Sequence, residues 1–553
     1  MMRILNSKNS VKSATLILVI TLTLSNILGF FRDHFLAQKI ITSDLDIYYA
    51  AFRIPDLLFN IVILGAISSA FIPIFTSFIA KSEEKKAWDV ANSIINIGLL
   101  VILILAFISM ILMPYLVNLL VPNFDSARKL QTVSLARLFL ITPIFFTLSY
   151  IVGGILNSFK RFIFYSIAPL IYNIVIIVSI FLLSPKYGIT GIAIGVIIGS
   201  VLHFLIQLPG VFHLGWRYKF NLNWKDPSVR KIGKLMLPRS IGLGANQIML
   251  FIFTALASTL AVGSVAVFSL ADNIQTMPIV VFGTSFATAI FPTLSEMAAK
   301  QEKIKFAQYL SKITKIILFI LIPAAVGMFM LRAEIVRLIL GSGHFKWNQT
   351  MMTYSALGFF AFGLPFAGLI PVLAKAFYAK HNTKTPVIVS VISIFISIIF
   401  AYAFIKLPST ERFVCFCGQS FYGKVSGLAL ASSIGMFANA LILMIIVIKK
   451  GWINEGQKIF ASISKIILAT VFMILCIQVA KNYLGLVVDM DRFWGVAIKA
   501  FGAAFVGIFS YLLAGYLLSM DEMKELSLKK LLKARLSKFN SSQYNEAREQ
   551  DEY

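Results

Sequence analysis

Fourteen stretches of low charge, each long enough to cross a bilayer as a helix, run through this chain, and no other feature limits its fold as strongly. They lie near 12–34, 45–79, 90–121, 130–157, 162–184, 188–213, 230–261, 264–298, 308–331, 349–378, 385–406, 424–448, 459–483 and 494–519. A hydrocarbon core about 30 Å thick takes about 20 helical residues to cross. Backbone polar groups inside it must be satisfied within the segment, which leaves helices as the means of crossing for runs of this length. Of the 553 residues 58% are hydrophobic and 13% charged, against about 45–50% and about 25% in an ordinary soluble domain. The expected fold is therefore an all-α polytopic membrane protein of about fourteen transmembrane helices. Pro55 and Pro278 stand inside the long second and eighth stretches, where proline is expected to bend a helix. The start resembles a signal peptide, with Arg3, Lys8 and Lys12 ahead of an apolar run, but Ala14 to Phe31 contains no small-residue cleavage site. We read it as a retained first helix.

A formal net charge of +26 would point to nucleic acid or an acidic partner in a soluble protein. Here the basic residues sort by side instead. The loops sharing a side with the amino terminus carry 31 Lys and Arg and the opposite loops 13, so the positive-inside rule puts both termini in the cytoplasm and the chain in the cytoplasmic membrane, with no nucleic-acid partner. The tail from Asp521 to Tyr553 is polar, and Lys524 to Lys538 alternates leucines with lysines at helical spacing. It reads either as a solvated helical tail or as a helix lying on the anionic inner leaflet. Cys415, Cys417 and Cys476 make neither a disulfide framework nor a zinc site.

The chain also echoes itself. Ala70-Phe-Ile-Pro73-Ile-Phe-Thr76, followed by Lys81, returns 219 residues later as Ala289-Ile-Phe-Pro292-Thr-Leu-Ser295, followed by Lys300. Lys160-Arg161 with Pro169 returns at about the same interval as Lys380 with Pro386. Two matches at nearly one offset suggest two six-helix lobes, 1–215 and 216–450, with a further helix pair at 451–520 and a basic tail at 521–553. Six is even, so the lobes insert in the same direction, as in transporters that rock two halves about a central cavity.

No catalytic constellation is visible. His34, His203, His213, His344 and His381 are scattered, and the sequence has no acidic metal motif, phosphate-binding loop or nucleophile elbow. A transporter without a cofactor is expected rather than an enzyme. Ionisable residues inside membrane spans are costly and point to function. The densest set is Arg32-Asp33, Asp46, Arg53 and Asp56; Arg239 with Asn246-Gln247 and Asp272-Asn273 with Gln275 follow in spans seven and eight. Arg32/Asp33 and Arg53/Asp56 read either as local ion pairs or as groups lining the cavity, where arginine binds phosphate oxygens in pairs. Asp272 reads as a cation or proton site, a gate, or a paired residue.

At these residues the chain resembles a known family. Ser25-Asn-Ile-Leu-Gly-Phe-Phe-Arg32-Asp33, Asp46-Ile-Tyr-Tyr-Ala-Ala-Phe-Arg53-Ile-Pro55-Asp56 and Gly65-Ala-Ile-Ser68-Ser-Ala-Phe71-Ile-Pro73 resemble the amino-terminal signature of the MurJ/MviN lipid II flippases. Gly154-Ile-Leu-Asn157, Leu237-Pro238-Arg239, Gln275-Thr-Met-Pro278 and Ala376-Phe377-Tyr378-Ala379 agree in order, so the resemblance covers roughly residues 12 to 450. It implies two six-helix lobes plus two carboxy-terminal helices that hold a lipid tail. It also implies a lipid-linked glycan substrate, the undecaprenyl-diphosphate-linked peptidoglycan precursor, moved from inner to outer leaflet. Arg32, Arg53 and Arg239 would then hold the diphosphate, with Asn26, Asp33, Asp46, Asp56, Asn246, Gln247, Asp272 and Asn273 as polar cavity or gate residues. The chain departs from the family's usual basic or acidic residues at Asn26, Phe59, Asn60, Leu64 and Asn273, which leaves fewer cations for a diphosphate. Two other readings stand beside it. One is a flippase for another polyprenyl-diphosphate-linked oligosaccharide. The other is a polytopic polyprenyl-phosphate glycosyltransferase, for which Asp489 and Asp491 are the one close acidic pair in a late outer loop.

Overall fold

The computed structural model describes residues 11–61, 71–341, 343–406, 412–414, 420–422, 424–453 and 456–526; the side chains of 11–19, 22, 237–243, 245, 412–414, 420–422, 456–458 and 524–526 lie outside the description. Arg239 is thus described as helix backbone only. Cys415, Cys417, Gly65 to Ser68 and the tail beyond Leu526 fall outside the described residues.

The helices in chain order are α1 (Val11–Lys39), α2 (Thr42–Phe59), α3 (Ile72–Ala80), α4 (Glu84–Leu120), α5 (Ser126–Phe139), α6 (Ile141–Ser158), α7 (Phe162–Leu182), α8 (Ser184–Leu205), α9 (Leu208–Phe212), α10 (Pro227–Ser258), α11 (Ser264–Pro278), α12 (Ser285–Ala299), α13 (Lys303–Met330), α14 (Arg332–Leu340), α15 (Trp347–Ala379), α16 (Lys384–Lys406), α17 (Val425–Lys449), α18 (Gly456–Val487), α19 (Phe493–Leu517) and α20 (Asp521–Leu526). A short antiparallel pair, β1 (Arg412–Val414) and β2 (Ser420–Tyr422), lies between α16 and α17. Among the described residues, eleven helical segments are long and apolar enough to cross a membrane. They answer to the expected spans three to six and eight to fourteen. The other three expected spans coincide with α1, with α2 and α3, and with α10.

Local chemistry explains several boundaries. The carboxylate of Asp125 accepts from Arg128 N at 2.9 Å to start α5, and that of Asp226 accepts from Ser228 N and Val229 N to start α10, with Pro227 in the first turn. Pro278 ends α11 and is followed by a π-helical stretch, Ile279–Thr284, before α12. Pro55 sits inside α2, which passes into π-helical geometry at Asn60 and Ile61. Asn60 stands 219 residues before Ile279, so the two long spans change their winding at the same point of the repeat.

The ends of seven helices share one device. Ser82, Lys160, Gly215, Gln301, His381, Gly451 and Ser519 each have a positive φ. In each case the next residue's N–H reaches back five residues, as in Glu83 N to Phe78 O at 2.9 Å, Glu302 N to Met297 O at 3.0 Å and Asn382 N to Phe377 O at 3.0 Å. This is the Schellman arrangement, which satisfies carbonyls left over at a helix end. Ser82 and Gln301 are 219 residues apart and Lys160 and His381 are 221 apart, so the cap positions carry the same repeat as the sequence.

The described residues gather into two compact units. The first takes those within Met1–Met277, Val336–Phe360 and Thr383–Asn439. Here α7 packs on α8 and α1, α2 on α5, and α10 on α16 and α4. Gly191, Gly195 and Gly199 form the α8 face next to Leu183, Ser179 and Tyr172; a Cβ at Gly191 or Gly195 would collide, and one at Gly199 would press on the Tyr172 ring. Lipid gives little hydrophobic drive to helix association, so small residues at four-residue spacing bring the helices close enough for dispersion to hold them. The second unit takes those within Pro278–Ile335, Ala361–Asn382 and Ala440–Tyr553. There α18 packs on α19 and α13, the Tyr511 hydroxyl donates to Phe319 O at 2.8 Å, and Trp452 meets the rings of Phe306 and Phe377.

Candidate functional site

Helix spacing makes one stripe out of the polar residues of α2. Asp46, Tyr49, Arg53, Asp56 and Asn60 follow one another at intervals of three and four, which places them along a single face. All the contacts described next belong to the first compact unit.

Arg53 is held by hydroxyls rather than by a carboxylate. Its Nε donates to Thr254 Oγ1 on α10 at 2.9 Å and its Nη2 to Ser269 Oγ on α11 at 3.0 Å. Among the described residues it forms no ion pair with Asp56, whose carboxylate accepts no hydrogen bond; Asn60 Nδ2 donates to the Asp56 backbone carbonyl instead. Of the two readings of the Arg53/Asp56 pair, local ion pairing is absent. The guanidinium keeps its charge unneutralised at contact distance and one terminal nitrogen uncommitted.

Arg32 behaves differently. Its Nη2 and Nε meet Asp33 Oδ1 at 2.9 and 3.1 Å, and its Nη1 donates to Asn173 Oδ1 on α7 at 3.2 Å. Asn173 in turn donates to Ser25 Oγ and to Pro169 O. The other oxygen of buried Asp33 accepts from Asn273 Nδ2 on α11 at 3.0 Å. The paired reading of Arg32 and Asp33 is therefore what the side chains adopt, within a network that Asn173 and Asn273 complete.

Asp46 does a third thing. It is 1% exposed, and its carboxylate accepts from Gly263 N at 2.6 Å, Ala266 N at 2.8 Å and Arg128 Nη2 at 2.9 Å. Gly263 precedes α11 and has no side chain with which to cap it, so a carboxylate from a helix more than two hundred residues earlier caps it instead. Charge near a helix amino terminus is favourable, and Arg128 balances the buried carboxylate. Gly263 has a φ of 95°, and a Cβ there would lie 2.8 Å from Thr42 Cγ2, so the contact requires glycine twice over. The end of α1 is tied down nearby: His34 Nδ1 lies 2.7 Å from Ile339 O, and His344 N donates to Gln38 O at 3.1 Å.

The remaining expected residues are less connected. Asp272 Oδ1 accepts from Gln275 Nε2 at 2.9 Å, which favours its reading as a paired residue. Asn26 and Gln247 are half-buried and Asn246 exposed, and among the described residues none has a side-chain hydrogen bond. Sequence reasoning noted Asn173 only as part of the family resemblance, it missed Thr254 and Ser269, neutral residues with no pattern of their own, and it counted Arg128 as a loop charge. It also placed Lys481 in a loop. In the second unit Lys481 Nζ and Lys499 Nζ lie 3.1 and 3.6 Å from Glu334 Oε1, and Lys481 donates to Met330 O at 2.7 Å, so these two lysines turn inward. Asp489 and Asp491 make a surface turn, with Asp491 N on Asp489 Oδ1 and Asp489 paired to exposed Arg492. That pair offers no catalytic geometry.

Comparison with known proteins gives a consistent result. The sequence model described as "Lipid II flippase MurJ" matches residues 41–493. A Vibrio cholerae protein named "Probable lipid II flippase MurJ" is 30% identical over 458 residues, 79% of this chain and 82% of that one. A Buchnera aphidicola protein of the same name is 28% identical over 470 residues, 84% and 88% of the two chains. Among solved structures, "Lipid II flippase MurJ, inward closed conformation" superposes with a TM-score of 0.73 at 26% identity, covering 92% of this chain and 99% of the other. An inward-facing MATE multidrug transporter of the MOP superfamily superposes with a TM-score of 0.62 at 17% identity, covering 81% and 99%, which is a likeness of fold.

Proposed function

This chain belongs to the lipid II flippase MurJ family, and from that premise we propose that it carries the polyprenyl-diphosphate-linked peptidoglycan precursor across the cytoplasmic membrane by alternating access. It is a multi-pass membrane transporter. We assign it fourteen spans, two six-helix lobes (1–215 and 216–450), a tail-holding helix pair (451–520) and both termini in the cytoplasm. Seven Schellman caps support the count, because they end spans two, four, six, eight, ten, twelve and fourteen, all on one side in that scheme.

The observation that carries the mechanism is the set of bonds joining α1 and α2 to α10 and α11: Asp46 to the start of α11, Asp33 to Asn273, and Arg53 to Thr254 and Ser269. Each joins a helix of the first repeat to one of the second. In the assigned topology the Asp46 cap lies on the outer side and closes it, so outward opening requires this carboxylate to release two amides. Arg53 is the preferred diphosphate ligand. Exchanging two neutral hydroxyls for phosphate oxygens gains charge-assisted bonds without breaking an ion pair, whereas Arg32 would first have to leave Asp33. Arg239 would add a second cation. The apolar outer faces of α18 and α19, with Leu475, Val479, Phe501 and Phe505 exposed, suit acyl chains.

The test is complementation of cells depleted of their own lipid II flippase. Arg53→Ala is expected to abolish growth at normal membrane levels. Arg53→Lys is expected to fail as well, because an ammonium cannot replace the fork. Full activity of both would remove Arg53 from the binding site, and failure of the unaltered chain at good expression would point to a different lipid-linked glycan.

A further inference from the structure

We propose that the segment between α9 and α10, together with the first turns of α10, is a docking surface for the head groups of anionic phospholipids, separate from the transport site. The argument starts from the way this segment is held. Residues Trp216 to Asn221 run without regular structure along α4, pinned by two asparagines one turn apart. Asn92 accepts from Trp216 Nε1 at 3.1 Å and donates to Arg217 O at 3.2 Å; Asn96 accepts from the Tyr218 hydroxyl at 2.7 Å and donates to Lys219 O at 3.0 Å and Asn221 O at 3.2 Å. Two amide side chains thus replace the backbone pairing the segment lacks. Pinning of this kind buries Trp216 at 6% exposure but leaves later aromatics outside: Tyr218 is 53%, Phe220 76% and, just beyond the segment, Trp224 49% exposed.

The same segment carries concentrated charge. Beside those aromatics, Lys225, Arg230, Lys231 and Lys234 line a cleft of about 490 Å³ with Pro227 and Leu235. Among the described residues none of the four is in an ion pair; Arg230 Nε donates to Trp224 O at 3.3 Å. Asp226 is the acidic residue in their midst, and one of its carboxylate oxygens is committed to Ser228 N and Val229 N. Between Lys225 and Lys234 the balance is three positive charges.

Geometry sets the depth. Helix α10 has 32 residues, about 48 Å at 1.5 Å per residue, against a hydrocarbon core of about 30 Å. Its excess length puts one end at head-group level, and the end that carries cations is the first. Exposed Trp, Tyr and Phe beside a row of lysines and arginines are what a membrane interface selects, the rings at the carbonyl level and the cations on phosphate. Plain loop charge that only fixes orientation needs neither the aromatics nor the asparagine clamp.

The experiment uses the full chain in nanodiscs of phosphatidylcholine with about 30% phosphatidylglycerol. The three native cysteines are replaced, and Phe220→Cys carries a fluorophore. Quenching is compared between doxyl-labelled phosphatidylglycerol and doxyl-labelled phosphatidylcholine at equal mole fraction. The anionic probe is expected to quench about threefold more or better, and the preference should shrink in about 0.5 M salt. It should vanish when Lys225, Arg230, Lys231 and Lys234 are all changed to Gln, and survive when the three lysines are changed to Arg. The same label at exposed Trp494, beside Asp489 and Asp491, should show no preference. Equal quenching by the two lipids at position 220, quenching by neither, or a preference that outlives the Gln substitutions would each overturn the proposal.

Discussion

Three charged residues of similar appearance in the sequence turn out to hold different kinds of partner, and this decides what each can do. Arg32 is spent on Asp33, Arg53 rests on two hydroxyls, and Asp46 caps a distant helix with Arg128 as counter-charge. Removing one partner of a buried charge pair strands the other, at about 3–5 kcal/mol. Asp46→Ala should therefore destabilise the fold far more than Asp46→Asn, which keeps an acceptor for Gly263 N or Ala266 N. A double-mutant cycle of Asp46→Ala with Arg128→Ala, read by thermal unfolding in detergent, should give a coupling of about 1–3 kcal/mol; additivity would mean the pair is incidental. Glu334 makes the complementary case, with one carboxylate serving two lysines that are both largely buried. Glu334→Gln should loosen α18 and α19, seen as faster proteolysis near Lys449–Gly451, while Lys499→Met should be milder because Lys481 still holds the carboxylate. Equal resistance of the Glu334 variant and the unaltered chain would show the triad to be dispensable.

At the scale of the element, the Schellman caps are where strain is visible. Glycine is the residue that adopts positive φ freely, yet five of the seven caps use Ser82, Lys160, Gln301, His381 and Ser519. A non-glycine residue in this region costs roughly 1–2 kcal/mol, so Gln301→Gly and His381→Gly should each stabilise the chain and raise the unfolding midpoint by about 1–2 °C. A fall in both midpoints would mean that the side chains are held by contacts outweighing the backbone cost. The helices themselves were legible from hydropathy, and the Pro278 signal correctly marked an irregularity in the eighth span. Its form, a π-helical stretch from Ile279 to Thr284, was not legible. Gly283 lies so close to Gly368 that a Cβ would come 2.7 Å from its Cα, and a contact between two backbones leaves no local pattern at either position.

For the whole molecule, the proposed sidedness rests on the sorting of basic residues and on the caps, which follow every second span of the proposed scheme. Single cysteines placed at Ser82, Gln301 and Ser519 in a cysteine-free chain should all react with an impermeant maleimide from the cytoplasmic face of oriented vesicles. Cysteines at Lys186 and Lys346 should react from the other face. Labelling of Ser82 and Ser519 from opposite faces would exclude an even number of spans between them. The repeat supports the same picture, since its offset near 219 recurs in prolines, in π-helical geometry and in cap positions.

By itself the sequence determined that the chain lives in a membrane, where most of its spans run, that a Pro-containing motif recurs 219 residues on, and which few charged residues stand inside apolar spans. These are local sums: hydropathy over about 20 residues, charge within a loop, a motif and its echo. The tertiary structure decided which partner each of those charges meets. Asp46 meets Gly263 and Ala266, Arg53 meets Thr254 and Ser269, and Glu334 meets Lys481 and Lys499, all across separations of about 150 to 220 residues. A partner's identity at such a distance depends on how the intervening helices pack, and packing among apolar faces leaves no local trace in the sequence that fixes it.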